Sequence, residues 1–405
     1  MLNQTEVHAL QEAILAPENV KGLTSLLAEL VATPSHAELA EPEAGISALL
    51  LDRCRQRGLT GARVDLGEGR YNVVAEVDSG QPGPTLVLSG HLDTVPPYDM
   101  PDPLTLREAD GLLYGRGAVD MKGALAAMLG GMEQLGRLGL VRRGKVVLAA
   151  VADEEGASTG ARALLQSGLV ADAMIIGEPS DGRICIAHRG LEWLNLTLYG
   201  KAVHGGKQAE GLSAISLAAQ FIQRSEAAIA ARQESLRHPL AGVTTLNIGK
   251  IQGGTQPSTV AGECRLQLDV RWSPQDSLAA VLRLLEDILA EMVREEPRLR
   301  YQLEVMPESF MAGDYIHQAL ETDPAATVVH LTEKWFPTAL GRPGQLGAFP
   351  AWSDGGLLGP YGQMPVVICG PGQLESAHTA TENVPQDDLA AYSLLYALVA
   401  ADFCS

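Results

Sequence analysis

Two histidines and a series of carboxylates recur where short apolar runs end. They are His91 and Asp93 in Ser-Gly-His-Leu-Asp-Thr, Glu154 and Glu155 after Leu-Ala-Ala-Val-Ala-Asp, Glu178 in Gly-Glu-Pro-Ser, and His378 in Ser-Ala-His-Thr. Asp120, in Gly-Arg-Gly-Ala-Val-Asp-Met-Lys-Gly, stands instead at the start of a helix-forming stretch. Zinc accepts imidazole nitrogen and carboxylate oxygen alike. Two imidazoles with three or four carboxylates make a site for two divalent metal ions, and such a site hydrolyses bonds.

Each position has an alternative reading. Asp93 lies two residues beyond His91, so its carboxylate is expected to hydrogen-bond the far ring nitrogen and fix the tautomer. Asp120 could be a simple helix N-cap. Gly115-x-Gly117 hints at a nucleotide loop, but the sixth position is Asp120 rather than glycine and no strand leads into it. Glu154 and Glu155 repel one another and are costly side by side unless solvated or bound to metal. Alone they would be an exposed acidic turn. What argues for chemistry is the joint placement after separate strands, because open α/β sheets bind ligands beyond the carboxyl ends of their strands.

The elements that must position these groups follow from periodicity. Residues 19–31 and 42–57 read as amphipathic helices. Strands are expected at 84–89, 145–151 and 173–176, with helices at 121–138 and 159–167 between them. This alternation predicts an α/β fold with a largely parallel sheet covered by helices. From 184 the pattern changes to β-α-β-β-α-β: extended 184–200, helix 212–232, strands 244–251 and 263–272, helix 277–295, strand 299–305. That order is ferredoxin-like. The first style resumes with a strand at 365–369 and a helix at 386–401. The expected architecture is therefore a discontinuous catalytic domain, 1–182 and 307–405, with an inserted α+β domain at 183–306. Residues 336–364, rich in Gly and Pro, read as a long loop.

The 405 residues are 46% hydrophobic with a formal net charge of −19, which argues against a nucleic-acid partner. Five widely spaced cysteines with no C-x-x-C suggest neither a disulfide framework nor a cysteine metal site. The opening Met-Leu-Asn-Gln-Thr-Glu carries no signal-peptide pattern, and no apolar stretch is long enough to span a bilayer. A cytoplasmic location, with no membrane partner, is the expectation.

His-Leu-Asp-Thr-Val-Pro-Pro (91–97), Tyr-Gly-Arg-Gly-Ala-Val-Asp-Met-Lys-Gly (114–123), Ala-Asp-Glu-Glu-Gly (152–156), Gly-Glu-Pro-Ser (177–180), Gly-Gly (253–254) and Ser-Ala-His (376–378) together resemble the M20 metallopeptidase family. The resemblance covers nearly the whole chain, in the family's order. It implies two divalent metal ions, zinc foremost, with cobalt and manganese as alternatives. Asp120 would bridge them, with His91 and Glu178 on one ion and Glu155 and His378 on the other. It also implies a cis peptide after Asp120, Glu154 as general base and Asp93 as its catalytic companion. His204 would reach a partner's site from the inserted domain, which serves as dimerisation and lid domain. Arg271 would bind a substrate carboxylate, with Arg189 in a substrate or hinge role.

Two positions depart from the family pattern. Ser258 stands where many members carry Asn, and offers one donor instead of two. Ser353-Asp354-Gly355-Gly356 resembles the Ser-Asp-Gly of desuccinylases, but Gly356 replaces the arginine that follows there. The implied activity is hydrolysis of the amide of an N-acyl amino acid by a homodimer formed through residues 183–306. A dipeptidase or carboxypeptidase, and a silent homologue that binds amino-acid derivatives, are the alternatives.

Overall fold

Four apolar runs form strands buried along almost their whole length: Thr85–His91, Lys145–Val151, Ala173–Pro179 and Val366–Gly370. A strand without a polar face must be covered on both sides, and it pairs best inside a parallel sheet. In the computed structural model, which describes residues 2–311, 313 and 315–405, these runs are the parallel centre of a nine-stranded sheet. The antiparallel hairpin Thr60–Gly67 and Arg70–Asp78 extends one edge. On the other side lie Ile184–His188 and Leu320–Glu321, with Leu346–Ala348 pairing onto Ile184–His188.

Helices Gly123–Leu138 and Gln386–Phe403 pack on one another within the same core. Gly131 permits this closeness, since a Cβ there would stand 2.6 Å from the Ser393 carbonyl oxygen. Helix Gln386–Phe403 is buried nearly all round from Leu389 on, as its largely apolar sequence there requires. All five cysteines are buried and free. No helix among the described residues is long and apolar enough to cross a membrane.

The chain divides into two compact units. One comprises Met1–Ile186, Glu321–Phe349 and Ser353–Ser405; the other Ala187–Leu320 and Pro350–Trp352. The second unit is a four-stranded antiparallel sheet in the order Thr245–Gly253, Glu263–Arg271, Glu192–Tyr199, Arg300–Val305. Helices Ala214–Gln233 and Leu278–Glu295 complete the ferredoxin-like unit. Alternate residues Leu194, Leu196 and Leu198 face its core. The unit runs on past residue 306 to Leu320 because Leu191 pairs with His317.

Some expectations need correction. Residues 336–364 are not one long loop: they hold the end of helix Thr327–Leu340, strand Leu346–Ala348 and helix Gly355–Gly362. Pro337 is accommodated in the last turn of the first helix and Pro360 late in the second, so neither ring breaks the element it sits in. The 60–78 hairpin and helix Gln4–Leu15 were not expected. The helix does carry a local signal, a capping box in which Asn3 and Glu6 exchange hydrogen bonds.

Candidate metal centre

Parallel strands end on the same edge of a sheet, so groups at their carboxyl ends converge. His91 is the last residue of its strand, and Glu154 and Glu155 follow Lys145–Val151. Glu178 lies within the last residues of Ala173–Pro179, and His378 follows Val366–Gly370 after one short helical turn, Leu374–Ser376. Asp120 enters from the turn before helix Gly123–Leu138, and its peptide bond to Met121 is cis.

The structure brings these side chains together. His91 Nε2 lies 2.9 Å from Asp120 Oδ1 and 3.7 Å from Glu178 Oε1. His378 Nε2 lies 3.1 Å from Asp120 Oδ2 and 2.9 Å from Glu155 Oε1. Asp120 thus offers one oxygen to each imidazole. Ligand atoms of His91, Asp120 and Glu155, and of His91, Glu154 and Glu178, fall within 4.8 Å of one another.

Asp93 acts differently from the hydrogen bond expected of its side chain. His91 Nδ1 lies 2.9 Å from the Asp93 backbone carbonyl, which fixes the tautomer, while the Asp93 carboxylate is 3.6 Å away. That carboxylate accepts the backbone N–H groups of Glu154 at 3.1 Å and Glu155 at 3.0 Å. Asp93 therefore holds the loop that presents both glutamates.

Electrostatics test whether these residues suit cations. Burial, then the neighbouring Asp120, pushes the Glu178 carboxyl well above its usual range. Burial and then Glu178 do the same to Glu154. Contacts with Asp120 and Glu155 raise the His378 imidazole to about 10. Burial disfavours a charged His91 ring, yet Asp120, Glu178 and Asp93 hold it well above its ordinary value. The protein groups alone leave the centre short of positive charge at both imidazoles. Divalent ions supply that charge and displace those protons, so the donor set fits a dinuclear site.

Several supporting contacts lacked any sequence signal. Glu382 accepts hydrogen bonds from the backbone N–H groups of Val119 and Asp120, each at 3.2 Å, and is ion-paired with buried Arg116. The three-stranded sheet of Arg107–Ala109, Leu112–Tyr114 and Asn383–Pro385 carries it there. Buried Lys122 donates to the carbonyls of Leu30 and Thr33 at 3.0 and 2.9 Å, fastening the Asp120 turn to the helix Pro17–Ala32 region. Asp354 is buried, which raises its carboxyl to about 7. Gly355 and Gly356 follow it as the first buried residues of helix Gly355–Gly362.

Behind Glu154, Arg70 bridges Asp153 Oδ1 at 2.8 Å and Glu43 Oε1 at 2.7 Å. Burial, then Asp93, lifts Glu43 to about 8, and Arg70 also pairs with the buried Asp153 carboxylate. Arg70→Met leaves that carboxylate buried and unpaired. It should lower stability by about 3–5 kcal/mol, read from the urea midpoint.

Arg189, His204, Ser258 and Arg271 belong to the second unit. His204 and Ser258 share an exposed corner, where Gly205 N–H donates to the Ser258 carbonyl at 2.7 Å. Arg271 pairs with Asp269 at 2.8 Å, and Arg189 donates to Thr245 Oγ1 at 3.0 Å. Burial, then the nearby Arg271 charge, lowers the Arg189 pKa. Two guanidiniums facing one carboxylate leave a cationic surplus suited to an anion.

Beside them, the ring centroids of His188 and His317 lie 6.2 and 4.7 Å from that of Trp352. Burial lowers both imidazoles to about 4. Between that value and the unfolded value near 6.5, the unfolded chain binds more protons, so stability rises with pH across the window. Acidification from about pH 6.5 toward 4 should therefore destabilise the protein, each ring contributing up to about 1.4 kcal/mol per pH unit. A His188→Phe, His317→Phe double variant should show a shallower fall in urea midpoint. An equal slope in the two proteins would remove these rings as the cause.

The family profile of peptidase family M20/M25/M40 matches residues 87–402. An acetylornithine deacetylase of Myxococcus xanthus is 33% identical over 350 residues, covering 84% of this chain and 86% of that protein. Among solved structures, aminopeptidase PepT of Bacillus cereus superposes with a TM-score of 0.78 at 22% identity, covering 96% of this chain and 99% of its own. A dinuclear metal-binding M20 peptidase of Bacillus subtilis gives a TM-score of 0.69 at 16% identity, covering 95% and 98%.

Proposed function

Because the chain belongs to peptidase family M20/M25/M40, a family of metal-dependent hydrolases, we propose that it cleaves the amide of an N-acyl amino acid. The products are the free carboxylic acid and the free amino acid. One observation supports this most: the two oxygens of Asp120 each meet a different imidazole, His91 at 2.9 Å and His378 at 3.1 Å. In our reading His91, Asp120 and Glu178 would hold one zinc ion, and Asp120, Glu155 and His378 would hold the other; cobalt and manganese would suit the same donors. When bound, the two ions acidify water and polarise the scissile carbonyl.

The chain's own residues do the rest. Glu154 removes a proton from the attacking water and delivers it to the leaving nitrogen. Asp93 keeps Glu154 in place through its backbone N–H. Arg271 and Arg189 take the substrate carboxylate, and Ser258 is a further substrate contact. Gly355 and Gly356 offer no charge to an acidic acyl group, which favours a neutral acyl such as acetyl. The relative from Myxococcus xanthus, a deacetylase by name, supports that choice. Residues 183–306 form the homodimer, and His204 of a second copy donates to the developing oxyanion. The reaction takes place in the cytoplasm.

The test is a turnover panel on zinc-loaded protein with N-acetyl amino acids, N-succinyl amino acids and dipeptides. N-acetyl substrates should be cleaved fastest. Turnover confined to dipeptides would replace this reading with a dipeptidase. No turnover on any substrate at full metal loading would make the protein a silent binding homologue.

A further inference from the structure

We propose that the helical layer of the first unit holds a second, non-catalytic binding site whose ligand is a free α-amino acid. This does not rest on the reaction assigned above. A cavity of about 320 Å³ lies among helices Gln4–Leu15, Pro17–Ala32, Ala44–Gln56, Gly123–Leu138 and Gln386–Phe403. That volume is at the small end of small-molecule pockets.

Its polar lining is incomplete without an occupant. Ser393 is 1% exposed, yet its hydroxyl has no hydrogen-bond partner among the described residues, and Gln134, 4% exposed, lines the same cavity. A helical serine commonly returns its hydroxyl to the carbonyl four residues back; Ser393 does not. Buried polar groups are nearly always paired, so a hydroxyl left open at this cavity points to something that completes it.

The charges lining the same cavity specify what. Arg57 Nε and Glu133 Oε2 stand 3.1 Å apart on its wall, with side chains 21% and 25% exposed. A guanidinium beside a carboxylate is the complement of a carboxylate beside an ammonium group, and both contacts would be charge-assisted. The pair is neutral overall, which disfavours phosphate and divalent cations. Ile14 and Leu23 supply an apolar surface for a short side chain. Gly22 keeps the space open, for a Cβ built there meets nothing within 4 Å.

The test is calorimetric titration of the metal-loaded protein with L-alanine, L-glutamine and L-ornithine. Two variants separate this site from the metal centre. Glu133→Gln removes the acceptor for the ammonium group, and Gly22→Leu fills the cavity; neither touches a residue placed in the catalytic machinery. The wild type should show saturable binding that weakens at least about tenfold in Glu133→Gln, the loss expected for one charged hydrogen bond. Gly22→Leu should abolish it, with turnover unchanged in both. If Gly22→Leu fails to fold, the near-isosteric Glu133→Gln carries the test. Isotherms that Glu133→Gln leaves unchanged, or the absence of any binding, overturn the proposal and leave the cavity to water alone.

Discussion

Glu154→Gln should reduce turnover by about two to four orders of magnitude, the usual range for losing a positioned general base. Bound metal should stay at the wild-type level. The reasoning is geometric. Asp93 fixes the backbone at Glu154 through a 3.1 Å hydrogen bond that the substitution does not touch. Glutamine keeps the shape and loses the proton-accepting oxygen. KM should change little, because the interaction removed belongs to the transition state. Metal analysis alongside steady-state kinetics checks this. Unchanged turnover would remove Glu154 from the mechanism, and a parallel loss of metal would make it a ligand instead of a base.

Asp120→Asn should have a still larger effect, because one side chain serves both halves of the centre. Its two oxygens lie 2.9 Å from His91 Nε2 and 3.1 Å from His378 Nε2. The amide brings an NH2 group against one imidazole and removes the charge on which both depend. Metal affinity should fall by more than the roughly 10–100-fold caused by altering residues that only support ligands. Activity should drop below that of Glu154→Gln. Metal retained after dialysis, measured by mass spectrometry, decides the matter: two ions kept at wild-type affinity would end the bridging assignment.

Apart from Asp120, the central groups were legible because each follows the end of an apolar run. Such runs can be recognised as interior strands, and the group at a strand's end is placed by the sheet itself. The ferredoxin-like order was legible from the strict alternation of Leu194, Leu196 and Leu198 and from two long amphipathic helices. The supporting residues were not. Glu382 reaches Asp120 from 262 positions away, and Arg70 reaches Asp153 from a hairpin whose strands carry mixed polarity. A lone polar residue says nothing about a partner that only the folded topology supplies. The Asp93 carboxylate illustrates the same limit: its nearness to His91 in sequence suggested one hydrogen bond, and two backbone donors from the turn after strand Lys145–Val151 took it.

Strand Val366–Gly370 completes the parallel centre by pairing with Ala173–Pro179, and this has a bearing on how the protein is made. During translation, residues 187–320 leave the ribosome well before strand Val366–Gly370 and His378 exist. The ferredoxin-like unit can thus mature while the other unit still waits for strand Val366–Gly370. A nascent chain halted before residue 366 would carry His91, Asp120, Glu155 and Glu178 without the strand that closes the sheet around them. Hydrolytic competence should then arise only after strand Val366–Gly370 and His378 have been made.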